Sequence, residues 1–155
     1  MVVTITKEFN WAMSHRLEGH KGLCKNLHGH NYRLFVTLKY RGTNNWSDSS
    51  SKGMVWDFKD FKNHIEIIID PLDHCFAYNK NNKDNVKIAK FLQQTIKQKT
   101  HPFNFRVTTE NLAKWIYKEI NDFFLMIKIP LYCTKIVLYE SNSSYATYEK
   151  SGDKK

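Results

Sequence analysis

Two segments of the chain alternate apolar and polar residues with the period of two that is typical of a half-buried β-strand. The first runs from Val3 to His15 and is apolar at most of its odd positions. The second runs from His28 to Leu38, and His30 lies on the same face as His28. Because residues i and i+2 of a strand point the same way, both imidazoles are predicted to project from one face.

Three later segments have the spacing of amphipathic helices. The first follows Asp57, a suitable N-cap residue, and ends before a proline. Its expected buried residues are Phe58, Phe61, Ile65, Ile68 and Ile69. The second covers about residues 84–98. The third follows Thr108 and Thr109 as capping candidates and is stopped by Pro130.

Two final strands are predicted at Cys133 to Glu140 and at Tyr145 to Glu149, joined by a polar turn. The pattern therefore predicts an α+β fold with a four-stranded antiparallel sheet. Two main helices lie between its second and third strands, together with an extra helical segment. Residues 1–150 are expected to form one domain, with a loop at 43–53 and a frayed tail at 151–155.

The composition is that of a globular protein. The chain has 155 residues, of which 41% are hydrophobic and 14% aromatic, enough for one core. No run reaches the roughly 18 apolar residues that a membrane span needs. Three widely spaced cysteines argue against a disulfide framework. These features predict a cytoplasmic protein without membrane contact.

The net charge of +9 raises the alternative of a nucleic-acid-binding module. Six lysines and one aspartate fall between residues 80 and 99, so much of the charge belongs to a single segment. This localisation weakens the case for a basic nucleic-acid surface. The alternative stays open as a distant one, and no nucleic-acid partner is expected.

Three histidines form a candidate metal site. His28 and His30 share a strand face, and His15 ends the apolar face of the preceding strand. Three imidazole ligands without a cysteine leave a fourth position open, as in catalytic zinc sites. The alternative is that these are unrelated surface or core histidines.

Cys24 lies four residues before His28, beside Lys25. A partly exposed thiol near a cation or a metal is a candidate base or nucleophile, although many loop cysteines are inert. Asp73 and His74 are adjacent, and a carboxylate beside an imidazole can form a proton relay or simply cap a turn.

Glu140 lies at the end of the predicted third strand, on its inward face. An unpaired inward carboxylate is costly, so it is expected to have a partner. The flat amino and ring N–H edge of a pterin would suit it, and a solvated strand-end glutamate is the alternative.

Taken in order, these motifs resemble the 6-pyruvoyltetrahydropterin and 6-carboxytetrahydropterin synthase family over about residues 3–149. The segments that carry the resemblance are Phe9–His15, Cys24–Tyr32, Gly53–Phe58, Leu72–His74, Thr108–Asn111 and Glu140 with Tyr148. Each motif is weak alone, and their ordered combination is specific. The short spacing between Cys24 and His28 is similar to that of the 6-carboxy enzymes of queuosine biosynthesis.

The resemblance implies a tunnelling fold (T-fold) assembled as a hexamer of two trimers. It implies Zn2+ on His15, His28 and His30, and Cys24 as general base. It also implies Asp73 and His74 as a second proton-transfer pair, and substrate contacts from Glu140, Thr108, Thr109 and Glu110.

The sequence departs from the family pattern in two places. Val107 stands where the pattern has proline, and an insertion at about residues 80–104 holds the lysine-rich helix. The resemblance implies no role for this insertion.

The expected reaction converts 7,8-dihydroneopterin triphosphate into 6-carboxy-5,6,7,8-tetrahydropterin, with release of acetaldehyde and triphosphate. The alternative within the family is formation of 6-pyruvoyltetrahydropterin by elimination of triphosphate.

Overall fold

The computed structural model describes residues 3–41 and 53–149. Residues 43–52 of the loop predicted at 43–53, and the tail at 151–155, lie outside these ranges. In chain order the elements are β1 (Thr4–His15), β2 (His28–Tyr40), α1 (Phe58–Ile69), β3 (Cys75–Asn79), α2 (Lys83–Ile96), β4 (Thr100–Phe103), α3 (Thr109–Met126), β5 (Leu131–Tyr139) and β6 (Tyr145–Glu149). A single 3-10 turn, Leu23–Lys25, lies between β1 and β2.

The described strands form one sheet in the order β4-β3-β1-β2-β5-β6. The strands β1, β2, β5 and β6 pair antiparallel and correspond to the four predicted strands. The prediction of a four-stranded sheet is nevertheless wrong. β3 pairs with β1, and β4 pairs with β3, both in parallel orientation, and these two strands extend the sheet to six. The α+β class is confirmed.

The core lies on one face of the sheet, under α1 and α3. The alternation predicted for β1 and β2 is present. In β1, Phe9, Trp11 and Met13 are buried, whereas Glu8 and Asn10 on the opposite face are exposed. Five positions at helical spacing in α3 are also buried, namely Leu112, Ala113, Ile116, Ile120 and Phe124. In the part of the chain that the structure describes, no helix is seen to cover the opposite face of β1 and β2.

The predicted helix starts are confirmed by their caps. The side chain of Asp57 accepts a hydrogen bond from the N–H of Lys59, and Thr108 accepts one from the N–H of Asn111. The expected burial of Phe58 is wrong, since it is 52% exposed. It is the first residue of α1 and lies above Phe61, at the rim of the core.

The insertion forms α2, which packs on β3. Ala89 and the polar Asn85 are its buried residues, whereas Phe91 and Ile96 are 64% and 62% exposed. No helix in the described part of the chain has both the length and the apolar character to cross a bilayer.

Candidate metal centre and active site

The pairing of β1 with β2 brings the three histidines together. His15 is the last residue of β1 and lies opposite His28, the first residue of β2, and His30 follows two residues later on the same face. One ring nitrogen from each histidine lies within 4.8 Å of the others. His15 is fully buried, and the other two are partly exposed. The structure therefore forms the cluster that the sequence predicts.

Backbone carbonyls fix the tautomers of two of these rings. His15 Nδ1 lies 2.8 Å from the carbonyl oxygen of Val107, and His28 Nδ1 lies 2.8 Å from that of Asn26. Because a carbonyl only accepts hydrogen bonds, the Nδ1 atom of each neutral ring carries the proton. The unprotonated Nε2 atoms of His15 and His28 then face each other at 3.2 Å.

His30 completes the arrangement. Its Nε2 atom is buried and has no hydrogen-bond partner among the described residues. Two opposed lone pairs and a third orphaned nitrogen are unfavourable without a bridging group, because buried polar atoms are normally paired. A cation that accepts nitrogen ligands, such as Zn2+, fits this donor set, and the carbonyls behind the rings are the outer partners that metal-binding histidines usually have.

The cluster favours neutral imidazoles. Burial, together with the nearby His28 and His30, lowers the pKa of His15 to about 4, although the Val107 carbonyl and Glu140 act in the opposite direction. Burial also lowers the pKa of His30. Neutral histidine is the form that binds a metal, so these rings are ready to act as ligands at neutral pH.

Glu140 follows β5 directly and faces the cluster. Its Oε1 atom lies 3.5 Å from Nε2 of both His15 and His30, and its side chain is 27% exposed. The expected inward carboxylate thus lies beside the histidine cluster. It is the acidic group placed to meet a ligand that approaches them.

Cys24 occupies the 3-10 turn between β1 and β2 and is partly exposed. It is not among the three clustered ligand residues, so a ligand role is not indicated. By contrast, burial raises the pKa of Cys75 and Cys133 to about 12, and both thiols stay protonated at neutral pH. Cys24 is the accessible thiol of the described chain.

Asp73 and His74 form a pair directly before β3. Asp73 Oδ1 accepts hydrogen bonds from His74 Nδ1 at 2.9 Å and from the N–H of Ala12 at 3.1 Å. Burial acts to raise the pKa of Asp73, but these hydrogen bonds and the charges of His74 and Lys99 lower it overall. The ionised carboxylate thus fixes the His74 tautomer and leaves its other nitrogen exposed.

The described residues contain no hydrogen bond from this pair to the three-histidine cluster. A cleft of about 350 Å³ is lined by residues from both places, since His30 and His74 border it together with Ser14, Gly29 and Gln98. Gly29 also allows β1 and β2 to approach closely here, since a Cβ atom there would lie 3.3 Å from the carbonyl oxygen of Met13.

The predicted substrate-binding residues on α3 have mainly local contacts. Thr108 caps the helix, Thr109 is buried, and Glu110 is exposed in the first turn. Sequence reasoning missed the part of Val107, whose buried position places its carbonyl on His15. A backbone carbonyl has no sequence signature, so no motif could have indicated it.

The fold and the site define an α+β protein in which three histidines at the end of two paired strands could hold a metal ion. The chain matches the family model of 6-pyruvoyl tetrahydropterin synthase over residues 4–151. It therefore belongs to the 6-pyruvoyl tetrahydropterin synthase family.

Individual relatives agree with this assignment. A 6-carboxy-5,6,7,8-tetrahydropterin synthase from Haemophilus influenzae is 36% identical over 148 residues, which cover 94% of this chain and 98% of that protein. A protein of the same name from Aquifex aeolicus is 32% identical over 132 residues, or 82% of this chain and 76% of that one. The structure of Plasmodium vivax 6-pyruvoyl tetrahydropterin synthase aligns with a TM-score of 0.68 at 17% identity, over 97% of this chain and 99% of that one. This last likeness concerns the fold alone.

Proposed function

We propose that the protein is a 6-carboxy-5,6,7,8-tetrahydropterin synthase of queuosine biosynthesis. It converts 7,8-dihydroneopterin triphosphate and water into 6-carboxytetrahydropterin, acetaldehyde and triphosphate. The main support is the convergence of one ring nitrogen from each of three histidines, two of which begin the strand that follows the turn of Cys24. Similarity to relatives of that name over nearly the whole chain supports the product.

His15, His28 and His30 would hold the zinc ion. Zinc, when bound, supplies Lewis acidity that lowers the pKa of substrate hydroxyls and stabilises developing oxyanions. The chain contributes the lowered pKa values of His15 and His30 and the backbone carbonyls that orient the rings of His15 and His28. The orphaned Nε2 atom of His30 supports the same assignment.

Cys24 and His74 would move protons at the substrate side chain. Cys24 is accessible and lies four residues from the ligand His28, which suits a general base that acts beside the metal. His74 is 79% exposed, and Asp73 holds its Nδ1 proton, so Nε2 is free to accept or donate a proton. A base and an acid from separate segments can serve opposite sides of one carbon chain.

Glu140 would bind the pterin ring. Its carboxylate lies beside the histidine cluster and is partly exposed, so it can accept the parallel N–H donors of a pterin. Thr108, Thr109 and Glu110 are further proposed substrate contacts, supported by the family resemblance of this segment.

We also propose a homo-hexamer built from two trimers and a cytosolic location. The three cysteines are unpaired thiols in the described chain, which suits a reducing compartment.

Incubation of the purified protein with 7,8-dihydroneopterin triphosphate tests the reaction. Acetaldehyde and a carboxypterin are the expected products. The second candidate is 6-pyruvoyltetrahydropterin synthase, favoured by the name of the matching family model. It would release triphosphate without acetaldehyde, because the side-chain carbon–carbon bond stays intact. Absence of both pterin products would refute both candidates.

A further inference from the structure

The insertion helix α2 contributes a buried amide to the segment that carries Cys24. We name residues 16–27 the Cys24 loop. Asn85 lies in the first turn of α2 and is completely buried, although most polar side chains of this helix face solvent. A buried amide is costly unless its polar atoms are paired, so its partners show what the residue does.

Both partners of the Asn85 side chain are charged residues of the Cys24 loop. Asn85 Oδ1 accepts a hydrogen bond from Arg16 Nη1 at 3.1 Å, and Asn85 Nδ2 donates one to Glu18 Oε2 at 3.1 Å. The second oxygen of Glu18 accepts from Asn79 Nδ2 at 2.7 Å. Since a guanidinium only donates and a carboxylate only accepts, one orientation of the amide satisfies both.

The same loop residues hold the turn of Cys24. Arg16 Nε donates to the carbonyl oxygen of Lys25 at 3.2 Å, and the N–H of Leu17 donates to the carbonyl oxygen of Cys24 at 2.8 Å. A continuous set of hydrogen bonds therefore runs from the buried amide of Asn85, through Arg16, to the residue after Cys24. Arg16 also directly follows the candidate ligand His15. The contacts of Arg16 therefore link the segment of Cys24 to the histidine cluster.

We propose that Asn85 is a positioning residue, through which the insertion helix α2 fixes the Cys24 loop against the histidine cluster. The inference rests on the proposed role of Cys24 as the base, and it gives the insertion a part in the reaction. A proton acceptor has to lie within hydrogen-bond reach of its proton. A displacement of about 1 Å can cost about 100-fold in rate. Loss of the amide is therefore expected to lower kcat more than it changes KM.

The first test compares Asn85→Ala with Asn82→Ala. Asn82 caps the same helix through the N–H of Asn85 at 2.9 Å and has no hydrogen bond to the Cys24 loop among the described residues, so its variant controls for loss of helix stability. Four quantities are measured on each protein: kcat, KM, zinc content, and the rate at which iodoacetamide alkylates Cys24, followed by mass spectrometry. Cys75 and Cys133 are buried and do not compete for the reagent.

For Asn85→Ala we expect kcat to fall at least about tenfold, with zinc retained. Alkylation of Cys24 is expected to become at least about threefold faster, because a loop that opens more often exposes its thiol. Asn82→Ala should stay near the wild type in both readouts. Equal values for the two variants would overturn the proposal.

A second pair of variants tests the positioning role of Asn85 even if Asn85→Ala does not fold. Asn85→Asp keeps an acceptor for Arg16 but opposes two carboxylates at Glu18, so we expect faster alkylation and a lower kcat. Adding Glu18→Gln exchanges the amide and the carboxylate between the two positions, which restores each donor–acceptor pair at unchanged net charge. Both readouts should return toward the wild type, and a double variant no better than Asn85→Asp would contradict the inference. If the wild type forms neither pterin product, the proposed function fails, but the alkylation rates still test the positioning of Cys24.

Discussion

At the scale of single residues, the three histidines are competent ligands because of groups that lie behind them. The carbonyl oxygens of Val107 and Asn26 hold the Nδ1 protons of His15 and His28. Burial lowers the pKa of His15 to about 4, so its ring is neutral at neutral pH. These two effects together direct unprotonated Nε2 atoms to one point, which is the condition for metal binding.

Replacement of a ligand tests this arrangement. We expect His28→Ala and His30→Ala to lower zinc content strongly, because each removes one of three protein ligands. The fold should persist, since the core lies under α1 and α3. Zinc is measured by mass spectrometry on purified protein and the fold by circular dichroism. His20→Ala is the matched control, as His20 is exposed and outside the cluster. Full zinc retention in both ligand variants would refute the site.

Cys24→Ala separates a base from a ligand. The variant removes the accessible thiol and leaves the three histidines in place, so it should keep its zinc. Turnover should fall by about 100-fold or more, the usual contribution of general acid–base catalysis. Zinc content and kcat are measured on the same preparation. Loss of zinc would instead make Cys24 a ligand.

The spacing of residues was enough to predict the cluster, whereas its supporting contacts were not predictable. His28 and His30 lie on one face because side chains of a strand repeat every two residues. The position of His15 was predicted because it ends the apolar face of the preceding strand. The carbonyl of Val107 acts through the backbone and is independent of residue type. Asn85 is one polar residue in a polar, lysine-rich helix, and only the fold shows that it is buried.

At the scale of elements, the start of α3 has both a structural and a proposed functional part. Thr108 Oγ1 accepts a hydrogen bond from the N–H of Asn111 at 3.3 Å. Thr108→Ala should reduce the free energy of unfolding by about 1 kcal/mol, the typical cost of losing an N-cap. Thr108→Ser keeps the hydroxyl and should retain most of it. Urea unfolding measures both, and an unchanged midpoint for Thr108→Ala would rule out the cap.

The two strands that the sequence pattern did not predict, β3 and β4, are both short. β3 and β4 have five and four residues, too few for a period of two to be distinguished from a loop. β4 also contains Pro102, which ordinarily argues against a strand and is tolerated here at the sheet edge. Their parallel pairing depends on α2 as the crossover between them, and long-range pairing of this kind leaves no local pattern.

At the scale of the whole molecule, the sheet of the described chain has two edges that are available for pairing. In the described sheet, β4 and β6 are the edge strands. Exposed strand edges favour pairing with another chain. This supports the proposed hexamer, which light scattering should show as a mass six times that of one chain. A monomer that is fully active at the assay concentration would contradict it.

Assembly also predicts shared active sites. The Asp73–His74 pair has no described hydrogen bond to the histidine cluster, and His74 is largely exposed, so it can serve the cluster of a neighbouring chain. Cys24→Ala and His74→Ala proteins are each expected to be nearly inactive. Mixing them after dissociation and reassembly should restore part of the activity, because some sites then combine both intact residues. No recovery in correctly reassembled hexamers would place both residues of a site on one chain.

We propose that a zinc ion on His15, His28 and His30 is what makes this chain active as a 6-carboxytetrahydropterin synthase. The most direct measurement adds zinc stepwise to metal-free protein and follows the pterin product by mass spectrometry. We expect the formation of 6-carboxytetrahydropterin to rise with bound zinc and to level off at one ion per chain. Full activity without metal, or no carboxypterin at one zinc per chain, would contradict it.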